Sequence, residues 1–314
     1  MKKIFTFLCL SLFLLFPRSV SSQSLTIAER LGYDKDAKLL IVHADDIGLA
    51  HSVNSATIKA FEGSGISSAS IMVPCPWFPE IAKYAKDHTE YDFGLHLTLT
   101  SEWKNFRWGG VSPATEIPSL LDDDGFFYRS NEEVVKNANL TEVEKELKAQ
   151  IERAIAFGVK PTHIDSHMGS LFATPELFQV YLNIGAIYDL PVFIPMNAAQ
   201  AFPELLELIG EKQIPVDHYF MMNTNRPTQE WNSWYLNIIE QLTPGLNELI
   251  IHLAIDNSEM QAVAIDHPDF GSIWRQNDLN TMMSEEFKLA LKNHNIKLIT
   301  WGDLKKIHNN KDKE

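Results

Sequence analysis

Short apolar runs rich in Val, Ile and Leu alternate along the chain with stretches whose apolar residues recur every three or four positions. The runs predict strands at Lys38–Ala44, Ala69–Val73, Asp92–Leu97, Thr162–Asp165, Pro191–Pro195, Pro215–Tyr219, Glu248–Leu253 and Ile296–Trp301. The periodic stretches predict helices near 51–62, 77–87, 141–157, 174–187, 200–212, 228–242 and 284–293. The clearest helix pattern starts at Thr141, with Glu144 three residues on as a capping box and Gly158 just past the end. Strand–helix alternation implies a parallel sheet, and seven or eight repeats with no low-complexity linker favour one barrel-like α/β domain. Two stretches, 101–140 and 254–283, carry no such alternation and exceed ordinary loop lengths, so they read as binding loops or lids.

The first residues follow a different pattern. Lys2 and Lys3 precede an apolar run from Ile4 to Phe16, then Pro17, Arg18 and the small residues Ser19-Val20-Ser21-Ser22. That order is the one of a secretory signal, and the run falls short of the roughly 20 residues a spanning helix needs. Residues 1–22 are therefore expected to be removed on export, to the periplasm or the medium, leaving a domain over 23–314 with no membrane span. The loss of Lys2, Lys3 and Arg18 moves the net charge from −14 to −17 and leaves Cys75 as the only thiol. A surface that acidic excludes nucleic acid as a partner, because phosphate binding needs basic groups. A lone cysteine excludes a disulfide framework.

Candidate chemistry stands at the ends of the predicted strands. His43-Ala44-Asp45-Asp46-Ile47-Gly48 follows the run Leu39–Val42, and adjacent carboxylates there can divide metal holding from proton acceptance. Phe93-Gly94-Leu95-His96-Leu97-Thr98 places a histidine in an apolar strand. In Pro161-Thr162-His163-Ile164-Asp165-Ser166-His167, an extended chain puts His163, Asp165 and His167 on one face. Asp and His side chains from separate strand ends make a donor set for a catalytic divalent ion with a position open for water. Spacing alone does not choose among these carboxylates and imidazoles.

With these segments the chain resembles the YdjC-like (ChbG/HpnK-type) carbohydrate deacetylase family, relatives of the NodB-type polysaccharide deacetylases. The resemblance covers roughly residues 37–305 and is carried by L-L-I-V-H-A-D-D-I-G-L with Asn54 following, G-I-S-S-A-S-I-M-V (65–73), G-L-H-L-T-L-T (94–100), P-T-H-I-D-S-H (161–167) and I-K-L-I-T-W-G-D-L (296–304). It implies a single deformed (β/α) barrel of seven or eight parallel strands, with helices outside and two long loops at the active site. It also implies a divalent metal ion and removal of the N-acetyl group from an acetylated amino sugar. On the family pattern Asp46, His96 and His167 hold the metal, Asp45 is the general base, and His252 is the general acid. Where the family often continues with a histidine-rich run after S-H, this chain has Met168-Gly169-Ser170-Leu171; where it often has Pro after the late histidine, Leu253 stands here.

Zinc and magnesium lead the candidates for the ion, although an Asp-His-His set also suits manganese, cobalt and nickel. The same chemistry serves an O-acetyl ester, and a sugar-binding protein without turnover is a further alternative. The segment 101–130 carries Trp103 and Trp108, whose rings suit the apolar faces of sugars. Asp165 and Arg275 are the polar residues expected to meet the substrate. Arg275 also stands three residues before Asp278, the spacing of a helix-surface ion pair.

Overall fold

The computed structural model describes residues 25–196, 202–224 and 226–310. The leader read at residues 1–22 lies outside them. Seven strands form one parallel sheet: β1 Lys38–Ile47, β2 Ser68–Ile71, β3 Phe93–Leu97, β4 Ile164–Ser166, β5 His218–Met221, β6 Gly245–His252 and β7 Lys297–Leu298. Their order is β4-β3-β2-β1-β6-β5, with β7 on β1 at Leu39 and Leu40, below the point where β2 begins to pair. Isolated parallel bridges, Ile164↔Val192 and Pro195↔Val216, carry the pairing from β4 across to the β5 side. The sheet is thus curled into a barrel with helices around it, the deformed (β/α) architecture the sequence implies. Among the described residues no helix is long and apolar enough to cross a membrane.

β1 is the central strand and is buried from Leu39 to Ile47, as a strand covered on both faces must be. Alternation splits its side chains. Leu40, Val42 and Ala44 join the large cluster that includes helix residues such as Val53, Ile81 and Leu147. Leu39 and Ile41 join the smaller cluster with Val216, Leu246 and Trp301. His43 and Asp45 continue this second face, so polar groups rise above an apolar floor. Register then sets pairs at the carboxyl ends: Asp45 lies opposite His252, and His96 opposite Asp165.

The structure departs from the expected elements where local chemistry competes. Segment 191–195 makes bridges and no strand, because Pro191 and Pro195 have no N–H to give a ladder. The segment from Ile296 shortens to Lys297–Leu298 because Trp301 opens the helix Trp301–Asn310, with Thr300 and Asp303 exchanging capping hydrogen bonds. The helix expected over 200–212 is Pro203–Leu206 among the described residues. Helix Leu140–Ala156 is capped by Asn139, whose side chain accepts from Thr141 N, and the Thr141/Glu144 box does not form. Stretch 254–283 is largely helical, Ser258–Val263 and Ser272–Met282, and stretch 101–140 contains the helix Asn131–Asn137. Helix Ser272–Met282 escapes a hydrophobic-period reading because its buried face includes Ser272, Arg275, Asp278 and Thr281.

Candidate functional site

Two consecutive carboxylates on a regular strand would point to opposite faces. Here Asp46 takes φ 69 and the β1–β2 register shifts between Ala44 and Ile47, so Asp45 and Asp46 both reach the barrel mouth. Gly48 follows at φ 93, where a Cβ would press on Met72 O, and its N–H donates to Asn54 Oδ1 at 2.8 Å. The turn that presents the aspartates is thereby fixed by a glycine and an asparagine.

Asp46 Oδ1 is the focus of the site. It is buried and makes no aligned hydrogen bond, yet lies 3.2 Å from His167 Nδ1 and 3.4 Å from His96 Nε2. Its other oxygen, Oδ2, accepts from Arg275 Nη2 at 2.6 Å. Burial alone would raise the Asp46 carboxyl, but Arg275 and the two imidazoles outweigh it and hold it well below the usual range. Each histidine is tied at its far nitrogen to another carboxylate: His96 Nδ1 to Asp165 Oδ1 at 2.7 Å, and His167 Nε2 to Glu102 Oε2 at 3.0 Å. Burial works against charge on both rings; Asp165 and Asp45 carry His96 well above its ordinary value, and Glu102 and Asp46 hold His167 up to about 9.

This donor set fits a divalent cation. The Asp46, His96 and His167 ligand atoms lie within 4.8 Å of one another and all are buried. Two other groupings, His43/His163/Asp165 and Asp45/His96/Asp165, are as close. In both of those Asp165 is already engaged by a histidine of the group, its Oδ2 with His43 Nε2 at 2.9 Å and its Oδ1 with His96 Nδ1 at 2.7 Å. Only the first grouping leaves a buried carboxylate oxygen without a hydrogen bond facing two imidazoles held from behind, the arrangement a metal requires.

Asp45 stands beside this centre. His43 Nε2 lies 3.2 Å from its Oδ1, and Oδ2 lies 3.9 Å from both His96 Nε2 and His252 Nε2. His43 is enclosed: burial disfavours its charge, but Asp165, Asp45 and Glu248 bring it up to about 10. His252 goes the other way. Burial, aided by Arg275, pushes it down to about 4 against the pull of Asp46 and Asp45, which favours the neutral ring. Its backbone N–H donates to Asp278 Oδ2 at 3.0 Å.

A cavity of about 540 Å³ opens over the cluster, lined by Asp45, Asp46, His96, His167, His252 and Arg275, with Phe172, Phe193, Tyr219 and Ile250 forming an apolar wall. Trp103 lines it too, its ring 4.8 Å from His267 and 5.6 Å from the Arg275 guanidinium carbon. Trp108 is buried behind His167, ring centroids 6.1 Å apart, and its Nε1 donates to Thr100 O. Asp165 reaches the cavity, but both its oxygens are taken by His96 and His43. The helix-surface pair expected between Arg275 and Asp278 is corrected: both are buried. Arg275 turns to Asp46, and Asp278 accepts from Trp231 Nε1 and Tyr235 OH. Sequence reading missed Glu102, His43 and Glu248 as members of the cluster. His43 was readable, since it shares the Asp45 face two residues upstream; Glu102 carries no local signal beyond following the β3 segment.

The chain matches the model of the YdjC-like protein family over residues 39–293. It is 35% identical over 260 residues to the carbohydrate deacetylase of Thermus thermophilus, covering 77% of this chain and 91% of that protein. It is 32% identical over 168 residues to the chitooligosaccharide deacetylase of Yersinia enterocolitica, covering 52% and 62%. A solved structure from Enterococcus faecalis, described as a candidate cellobiose-phosphate cleavage protein, superposes with a TM-score of 0.72 at 24% identity, covering 85% of this chain and 99% of that one. By motif, fold and extent of match, this chain belongs to the YdjC-like family.

Proposed function

We propose that this chain is a divalent-metal-dependent carbohydrate deacetylase that removes the N-acetyl group of an acetylated amino sugar. The observation that carries the reading is the convergence of Asp46 Oδ1, His96 Nε2 and His167 Nδ1 beside Asp45 on a cavity floor. The names of the Thermus and Yersinia relatives support the substrate class. Asp46, His96 and His167 would hold the ion. When bound, such an ion supplies a Lewis acid for the acetyl oxygen and makes water a nucleophile near neutral pH.

The remaining steps fall to the chain. Asp45 accepts the proton of the attacking water through Oδ2, its Oδ1 being steadied by His43. His252 delivers a proton to the departing amine. It must first take one up, and Asp45 Oδ2 lies 3.9 Å from its Nε2, so the abstracted proton is passed on through one bridging water or after the two side chains close on the substrate. Arg275 Nη1 is buried without an acceptor at the cavity and is a donor for a sugar or acyl oxygen. Trp103 is buried in the cavity wall with His267 and Arg275 packed against its ring, and it shapes the space left for the sugar. With the leader at 1–22 the enzyme is exported, and N-terminal sequencing of the mature protein should begin at Gln23.

The test is acetate release from matched sugars carrying either N-acetyl or O-acetyl groups, with metal content measured on the same sample. Acetate and free amine from the N-acetyl series support the reading. Hydrolysis confined to the O-acetyl series would make the protein an esterase, and sugar binding with no turnover and no bound metal would make it a binding protein.

A further inference from the structure

We infer that Glu102 is a positioning residue for the metal centre, fixing the His167 imidazole so that Nδ1, and not Nε2, faces Asp46; this rests on the metal-centre reading above. An imidazole presents either nitrogen to a metal, and the bond made by the other nitrogen decides which. At His96 the decision is made inside the sheet. Asp165 stands opposite it in register and holds Nδ1 at 2.7 Å, leaving Nε2 for the site.

His167 has no strand partner to do this. It lies just past β4 and enters a turn with Met168 at φ 52 and Gly169 at φ 66. Its ring is held from the 101–130 loop instead: Glu102 Oε2 lies 3.0 Å from Nε2, and Nδ1 is left 3.2 Å from Asp46 Oδ1. The two ligands therefore use opposite ring nitrogens, and the difference follows from where each carboxylate sits.

The loop is built to hold that carboxylate still. Ser101 N–H donates to Tyr128 O at 2.7 Å, and Arg129 Nη1 donates to Trp103 O at 2.8 Å, bracketing Glu102 on both sides. The Glu102 side chain is only 15% exposed, a cost that calls for a specific partner. Glu102 and Trp103 are adjacent, so one dipeptide touches both a metal ligand and the cavity wall.

The experiment is zinc affinity by chelator competition for wild type, E102Q, E102A and H167A, alongside melting of the metal-free proteins and imidazole ¹⁵N shifts of the loaded ones. E102A should bind zinc about 10–100-fold more weakly, the usual effect of removing such a partner. E102Q keeps an acceptor without the charge and should fall between; being isosteric, it also serves if E102A does not fold. The ¹⁵N shifts should show hydrogen on Nε2 of His167 in wild type and a mixed ring state in E102A. Wild-type affinity and an unchanged His167 signature in both Glu102 variants, with binding lost in H167A, would overturn the inference alone. No divalent uptake by wild type would overturn the metal-centre reading and this inference with it.

Discussion

Arg275 and Asp46 form a buried ion pair, Nη2 to Oδ2 at 2.6 Å, joining the helix Ser272–Met282 to the end of β1. One oxygen of the aspartate is neutralised by this arginine while the other faces His96 and His167. Removing one partner of such a pair leaves the other charge buried. Arg275→Met should therefore destabilise the metal-free protein, by about 3–5 kcal/mol on the usual scale for buried pairs. Zinc should then stabilise the variant more than it stabilises wild type, since the ion takes over the lost positive charge. Arg275→Lys should not restore stability, because one ammonium cannot reach both Asp46 and the Phe270 carbonyl that Nε now holds at 2.6 Å. Melting curves with and without zinc check each point.

The two aspartates should separate cleanly. Asp46→Ala is expected to lose both bound metal and activity. Asp45→Asn is expected to keep the metal and lose roughly 10²–10⁴-fold in kcat, the usual worth of a general base. Elemental analysis with steady-state kinetics decides; wild-type-like turnover in Asp45→Asn would remove the base assignment.

Glu248 lies under the site, and burial pushes its carboxyl up to about 8 from an ordinary 4.5. Between those values the folded protein keeps a proton that the unfolded chain releases. Folding stability should thus fall as pH rises from about 5 to 8, with a slope of up to about 1.4 kcal/mol per pH unit from this one group. Glu248→Gln cannot ionise and should flatten that slope. Denaturant unfolding at pH 5, 6, 7 and 8 measures it, and an unchanged slope would show that Glu248 is not its source.

Gly94 faces the His163 ring, and a Cβ there would overlap it. The ring cannot retreat, since it stacks on Trp301 with centroids 4.9 Å apart. Gly94→Ala should cost about 1–3 kcal/mol, as overpacking usually does, read from the same denaturation assay.

Much of this site was legible in the sequence because strand ends announce themselves. The apolar run Leu39–Val42 followed by Asp45-Asp46 marks the carboxyl end of a strand, and helix His51–Glu62 falls where periodicity puts it. What was not legible depends on contacts distant in sequence. Asp165 reads as a residue for the substrate until register sets it against His96. Glu102 meets a histidine 65 residues away. Arg275 reads both as a residue for the substrate and as half of a surface pair with Asp278; it does line the cavity, but its bond to Asp46 comes from another element and has no local mark. The positive φ of Asp46, which turns both aspartates inward, has no sequence mark beyond Gly48 two residues later.

The central claim is that amide hydrolysis here depends on an ion held by Asp46, His96 and His167. Its most direct test is acetate release from N-acetylated chitooligosaccharides by purified protein, measured as isolated, after chelation, and after zinc is restored. The account predicts acetate and free amine in equal amounts, loss on chelation and recovery with zinc in wild type but not in His167→Ala. Acetate release that survives complete removal of divalent ions would contradict it.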